Sequence, residues 1–170
     1  MDRDTPDEAT DSAVERVRAA LRAAGHPDTV ASFPAGTRTA ADAAAAIGCT
    51  VAQIAKSIVF RAGERAAVVV TSGANRVDPA RAAAALDLPP GVRLERADPA
   101  FVLAATGFAV GGVAPVGHTS PPLPLLDEGL LALDPVWAAA GSPRHVFRTS
   151  AAELARMTGA RTAAVRAGRP

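Results

Sequence analysis

Apolar residues recur along this chain in two periods, and the switching between them predicts a succession of short helices and strands. Val14, Val17, Leu21 and Ala24 follow helical spacing behind Ser12-Ala-Val-Glu15, a capping box in which the serine hydroxyl caps an amide and the glutamate reaches back. Gly25 ends that helix. Residues 29–33 read as a short strand stopped by Pro34, and 39–47 as a second helix closed by Gly48. Residues 50–55 read as a short third helix with its own box, Thr50-Val-Ala-Gln53. The clearest β signal is 57–61 followed by 66–71, two β-rich runs about a turn at Ala62-Gly63, which predicts a hairpin.

Asp78-Pro79 is a cap followed by proline at the first helical position, and it opens an Ala-rich helix to about Leu86. Asp98-Pro99 repeats the device in a helix that ends at Gly107. Residues 92–96, 108–113, 123–126, 130–133 and 145–148 read as further strands, with a loop over 114–122 and a short helix near Trp137. Ser150-Ala-Ala-Glu153 opens the last helix, which Gly159 closes. Residues 1–11 are expected to be a disordered acidic tail and 167–170 a loose one. Short strands mixed irregularly with short helices predict a single mixed α+β domain over 12–166 rather than a doubly wound sheet.

Composition narrows the function classes. A chain of 170 residues is the size of one domain. The single Cys49 excludes an internal disulfide and a thiolate metal cluster. No apolar stretch approaches the roughly 18 residues that span a bilayer, so no membrane partner is expected. Met1-Asp-Arg-Asp-Thr-Pro-Asp-Glu lacks the basic start and apolar core of a signal peptide, and a soluble cytoplasmic protein is the expectation. The net charge of +1 hides an asymmetry: residues 1–11 hold five acids against one arginine, and 143–170 hold six arginines against one acid, Glu153. The basic end can meet phosphates or simply be a solvated helix face. The domain as a whole is too near neutral for a strong nucleic-acid signature, and DNA is not an expected partner.

One cation stands apart. Of eighteen basic residues seventeen are arginine, and only Lys56 is lysine. An ammonium is a compact charge whose pKa moves when partly buried, whereas a guanidinium stays charged. Lys56 opens the apolar run Ser57-Ile-Val-Phe60 and is a candidate catalytic residue, with a solvated lysine as the plain alternative.

The second informative segment is Thr106-Gly-Phe-Ala-Val-Gly-Gly-Val-Ala-Pro-Val-Gly-His118. Gly111 and Gly112 let a ligand approach main-chain N–H groups, which can hold a carbonyl or a developing oxyanion, and Pro115 stiffens the loop. No Gly-Lys-Ser/Thr follows, so this is no phosphate loop, and a proline interrupts any dinucleotide fingerprint. A plain glycine-rich turn is the alternative. Among the histidines, His26 reads as an exposed turn residue, and His118 either meets a ligand or bonds to the backbone. Asn75 and Arg76 either form a turn or touch a nucleotide. Cys49 reads as a small apolar packer. Trp137 reads as core, and Phe60 and Phe108 as core or as a pocket wall that can stack on a base. Three scattered histidines and one cysteine make no convincing zinc site, and metal-independent chemistry without a cofactor is predicted.

Gln53-Ile-Ala-Lys56-Ser57-Ile-Val-Phe60, Ser72-Gly-Ala-Asn75-Arg76-Val-Asp78, Gly107 through His118, and Asp127-Glu128 occur in that order. Together they resemble the YbaK family, free-standing relatives of the editing domain inserted in bacterial prolyl-tRNA synthetases. The likeness runs from about residue 12 to 166. It implies a mixed α/β domain with a curved, barrel-like sheet, and hydrolysis of the ester joining a wrong amino acid to a tRNA. It implies that Lys56 matches the family's essential lysine, that Gly111 and Gly112 line the aminoacyl pocket, and that His145, in Gly141-Ser-Pro-Arg-His145, contributes a polar group. The implied partner is the 3′ end of a misacylated tRNA, tRNA for proline being the expected one, with prolyl-tRNA synthetase or another factor presenting it. Two rival readings stay open: a non-catalytic module that binds tRNA or an aminoacyl ligand, and a hydrolase of small esters outside translation.

Overall fold

The computed structural model describes residues 6–168. Its centre is the predicted hairpin, β2 (Ile54–Ala62) and β3 (Arg65–Ser72), closed by the two-residue turn Gly63-Glu64. Around it lie β1 (Val30–Ser32), β4 (Leu94–Arg96), β5 (Leu123–Asp127), β6 (Val136–Ala139), β7 (His145–Thr149) and β8 (Arg161–Ala163). The main path of the sheet is β1-β7-β6-β2-β3-β5-β8, with β4 attached to β2 off that path. The α+β class is as expected. The barrel-like closure is not found: the path has two free ends, β1 and β8, and the sheet stays open.

β2 is forked. Opposite β3, its other edge pairs first with β6, in parallel at Ile54 and Ala55, and later with β4, antiparallel at Phe60 to Ala62. Residues 56–59 between them have a strand partner on β3 alone, a gap of about 13 Å at ordinary strand rise. Two observations set which main-chain groups face the gap. The two-residue turn makes Ala62↔Arg65 its closing pair, and the Gly73 N–H donates to the Ile54 carbonyl at 2.6 Å. Even-numbered residues of β2 therefore direct their N–H and C=O to β3, and odd-numbered ones direct theirs to the opposite edge.

Among the described residues five α-helices cover the sheet: α1 (Pro6–Ala23), α2 (Ala40–Ile47), α3 (Pro79–Ala85), α4 (Pro99–Thr106) and α5 (Ala151–Thr158). The main core packs Val17 and Leu21 of α1 and Leu154 of α5 against Val68, Val70, Leu126, Leu130, Phe108 and Phe147. The opposite face holds a smaller cluster, Val69, Ala82, Leu125 and Val165. Each such fully buried aliphatic or aromatic side chain contributes about 1.5–3 kcal/mol relative to exposure. A third cluster, Ala43, Ala44 and Ile54, seats α2 beside the start of β2, and Cys49 packs there as a small apolar residue.

Several local expectations are corrected. α1 begins at Pro6, so Ser12–Glu15 lies inside the helix, and residues 6–11 of the expected tail are helical. A proline opens that helix and Glu8 lies near its positive end, both favourable placements. Residues 1–5 and 169–170 lie outside the described residues. The Ala167 N–H donates to the Arg76 carbonyl at 2.7 Å, so the loose C-terminal end starts later than expected. The capping box Thr50–Gln53 is present, but it caps only a 3-10 turn, Val51–Gln53, before β2 takes over. Residues 108–113 form a loop, because the Gly112 N–H closes a turn on Ala109 and Gly111 has φ +95°. The run 130–133 is the end of a 3-10 turn, Glu128–Ala132, capped by Asp127. Trp137 sits in β6, not in a helix. β8 was not anticipated: Arg161-Thr162-Ala163 is too short and polar to signal a strand. His26 is buried, its Nε2 3.0 Å from Thr149 Oγ1 and its ring edge-on to Phe147.

Candidate functional site

The gap in β2 opens into a cleft of about 500 Å³. Residues 54–60 form one wall, Thr37, Arg38 and Thr39 before α2 another, and Trp137 and Ala138 of β6 a third. Val102 of α4 and Val110, Gly111 and Val113 of the glycine loop complete it. Its floor is apolar, since Val102, Val113, Ala138 and Val146 are all buried. Its charged groups are all positive: Arg38, Lys56 and Arg96 line it, and no carboxylate does among the described residues. No group of three or more His, Cys, Asp or Glu able to hold a metal occurs among the described residues.

Lys56 lies on β2 directly opposite Thr71, half-buried. No hydrogen bond or ion pair reaches its ammonium among the described residues. Burial lowers its pKa below the ordinary lysine value, and the nearby Arg76 guanidinium lowers it further. Phe60 lines the same cleft while packing against the Val69–Leu125 cluster.

The glycine loop is held from behind. Arg16 of α1 donates from Nη2 to the Gly107 carbonyl at 2.6 Å and from Nε to the Gly117 carbonyl at 3.3 Å, and its guanidinium lies 4.9 Å from the Phe108 ring centre. Gly111 faces the cleft with the Arg38 side chain laid across it; a β-carbon there would lie 2.8 Å from Arg38 Cγ. Gly112 is one layer back. A β-carbon on it would lie 2.7–2.9 Å from the Ser142 backbone, and its N–H donates to the Ala109 carbonyl at 3.1 Å. Ser142 Oγ is in turn 2.6 Å from His145 Nδ1. Burial lowers the His145 pKa, Arg18 lowers it further, and Asp11 opposes.

The expected site residues thus divide. Lys56, Phe60 and Gly111 meet in the cleft. Gly112 and His145 stand behind its wall. Pro115 and His118 line a separate cavity of about 270 Å³ on the far side of the loop. His118 is edge-on to Phe108 at 5.6 Å, burial lowers its pKa, and its Nε2 is buried without a partner among the described residues. Asn75 closes a turn at Gly73-Ala74 after β3, its N–H donating to the Ser72 carbonyl at 3.0 Å, and Arg76, just beyond that turn, touches the site through its charge on Lys56. Sequence reasoning missed Arg38, Arg96 and Trp137. Nothing local marks them, because they reach the cleft only through the strand order around β2.

The cleft in the central sheet of this α+β domain, lined by cations and by no carboxylate among the described residues, is complementary in charge to a group carrying negative charge. Residues 34–157 match the aminoacyl-tRNA editing domain family, and this chain belongs to it. A solved structure described as a candidate trans-editing enzyme for prolyl tRNA synthetase is 43% identical, with a TM-score of 0.82, covering 92% of this chain and 98% of that one. Another, the hypothetical protein APE2540, is 30% identical with a TM-score of 0.77, covering 89% and 99%. The uncharacterized protein YwhH of Bacillus subtilis (strain 168) is 30% identical over 126 residues, 74% of this chain and 78% of its own length.

Proposed function

We propose that this protein is a trans-editing aminoacyl-tRNA deacylase that hydrolyses the ester of a small, wrongly attached amino acid, with tRNA for proline as its first substrate. The observation that carries the reading is Lys56, the one lysine of the chain, unpaired among the described residues in a cleft with two arginines and no carboxylate. A tRNA 3′ end brings phosphates and an ester whose carbonyl oxygen gains negative charge as it reacts. Both match that charge pattern.

Water adds to the ester carbonyl carbon, the carbonyl π electrons move to oxygen, and the bond to the ribose oxygen then breaks. The ribose oxygen takes a proton, and the amino acid leaves as the free acid. Lys56 holds the terminal phosphate or the ester oxygens, Gly111 offers its main chain to the aminoacyl group, and Phe60 forms a wall for sugar or base. Arg38 and Arg96 meet the phosphates. The Ser57 hydroxyl is buried, and Cys49 packs in the α2 cluster, so neither is assigned as a nucleophile. Small apolar side chains differ too little in binding for one synthesis site to separate them, which is what makes a second, hydrolytic site useful. A near-neutral domain of this size supports weak tRNA affinity and presentation by prolyl-tRNA synthetase or another factor, in the cytoplasm where charged tRNA is found.

The test is deacylation of tRNAs charged with alanine, cysteine, serine, threonine and proline by wild type and Lys56→Ala. Release of one or two amino acids by wild type and none by the variant supports the reading. No release by either folded protein, with and without prolyl-tRNA synthetase, removes the catalytic assignment in favour of a binding module. Equal turnover of a free aminoacyl ester lacking RNA favours a small-ester hydrolase.

A further inference from the structure

Resting on the deacylase reading, we infer that the open edge of β2 supplies a main-chain donor to the reaction: the Ser57 N–H holds the ester carbonyl oxygen while negative charge develops on it. Ser57 and Val59 are the odd-numbered residues of the gap, so their N–H and C=O groups point away from β3. Among the described residues no strand pairing and no turn or loop bond meets the Ser57 N–H, whereas the Val59 carbonyl is engaged where Phe60 pairs with Arg96. Both residues line the cleft. An unpaired edge N–H in a pocket is free to serve a ligand, as any buried main-chain donor must find an acceptor.

The alternative donor pair, Gly111 and Gly112, is reduced to one. Gly112 is absent from the cleft wall, and its N–H is already bonded to Ala109. Ser57 also has the right neighbours. It follows Lys56 directly, whereas Val59 lies about 6.6 Å further along the strand toward β4. An oxygen held at Ser57 is therefore the one within reach of the Lys56 ammonium. The role belongs to the backbone, because the Ser57 hydroxyl is turned into the protein and buried without a partner among the described residues. The Lys56 ammonium stabilises the same developing charge.

The experiment replaces Ser57 by its α-hydroxy-acid analogue, which exchanges the N–H for an oxygen and keeps the side chain. Deacylation is measured on the tRNA that wild type clears. We expect kcat to fall about 10²–10³-fold with KM within about threefold, the pattern of a donor used in the transition state. Melting should shift by less than about 2 °C, because no ladder bond is lost. The genetic variant Ser57→Pro removes the same outward N–H and should reproduce the loss of kcat. A kcat within about threefold of wild type overturns the inference, and so does a melting loss above about 8 °C, which places the N–H in the fold's own bonding. Active wild type with an unaltered variant overturns this inference alone. Wild type that clears no charged tRNA overturns the deacylase reading with it.

Discussion

Lys56 stands directly across the β2–β3 ladder from Thr71, and the Thr71 hydroxyl donates to Asp127 Oδ2 at 2.9 Å. The other oxygen of that carboxylate accepts from the Gly129 N–H at 3.4 Å, where Asp127 caps a 3-10 turn. The buried Asp127 carboxylate is thus engaged with a hydroxyl and a cap.

The Lys56 side chain should titrate below the ordinary lysine value of 10.5, because burial and then Arg76 disfavour its charged form. Arg76→Ala removes one of those causes and should move the titration upward. A carbon-detected NMR titration of the Lys56 Cε checks both. Because the folded pKa is depressed, the unfolded chain binds this proton more tightly at neutral pH, so Lys56→Met should melt at or above the wild-type temperature while losing deacylation. A lower melting temperature would show that the ammonium has a stabilising partner.

Thr71→Val should cost about 1–3 kcal/mol in urea unfolding, since it strands a buried carboxylate oxygen without its donor. A loss well under 1 kcal/mol, roughly the value of an ordinary surface change, would mean that Asp127 finds other donors.

Gly112→Ala should destabilise by about 1–3 kcal/mol, because the new methyl meets the Ser142 backbone and not a movable side chain. Gly111→Ala meets the flexible Arg38 side chain instead, at a φ of +95°. Its effect should include displacement of Arg38 and a raised KM for charged tRNA. Unfolding curves and kinetics of the pair separate the two positions.

Acidification should weaken the fold through His118 and His145. Both have folded pKa values below the ordinary 6.5, chiefly from burial. The stability they contribute in the neutral form is fully present above pH 6.5 and is lost as pH falls through the folded values. His118→Phe should flatten the decline between pH 7 and 5, read as melting temperature against pH. An unchanged slope would assign the decline to other groups.

The hairpin was legible because β-branched residues flank a glycine turn, a purely local signal. So were the helix starts at Thr39, Asp78, Asp98 and Ser150, each of which caps as its residue type requires. The glycine loop misled: Phe-Ala-Val and Val-Ala are β-prone, but a turn closed by Gly112 overrides them. Trp137 misled in the other direction, since pairing with β7 and not local propensity makes β6 a strand. In the site, Lys56, Gly111 and Phe60 could be singled out by composition or motif. Arg38 and Arg96 come from elsewhere along the chain, and one more arginine among seventeen carries no mark. Pro115 and His118 were grouped with Gly111 by proximity in sequence, yet the loop turns over between them and presents them to the other side.

The Arg16 contacts to Gly107 and Gly117 join residues 91 and 101 positions apart. The helix that clamps the glycine loop is therefore synthesised well before the loop that it clamps. One wall of the cleft is set only when the two meet, so a nascent chain holds Lys56 and its hairpin before it holds a finished site. A fault in that helix, far in sequence from the lysine, would be felt as a slack wall opposite it.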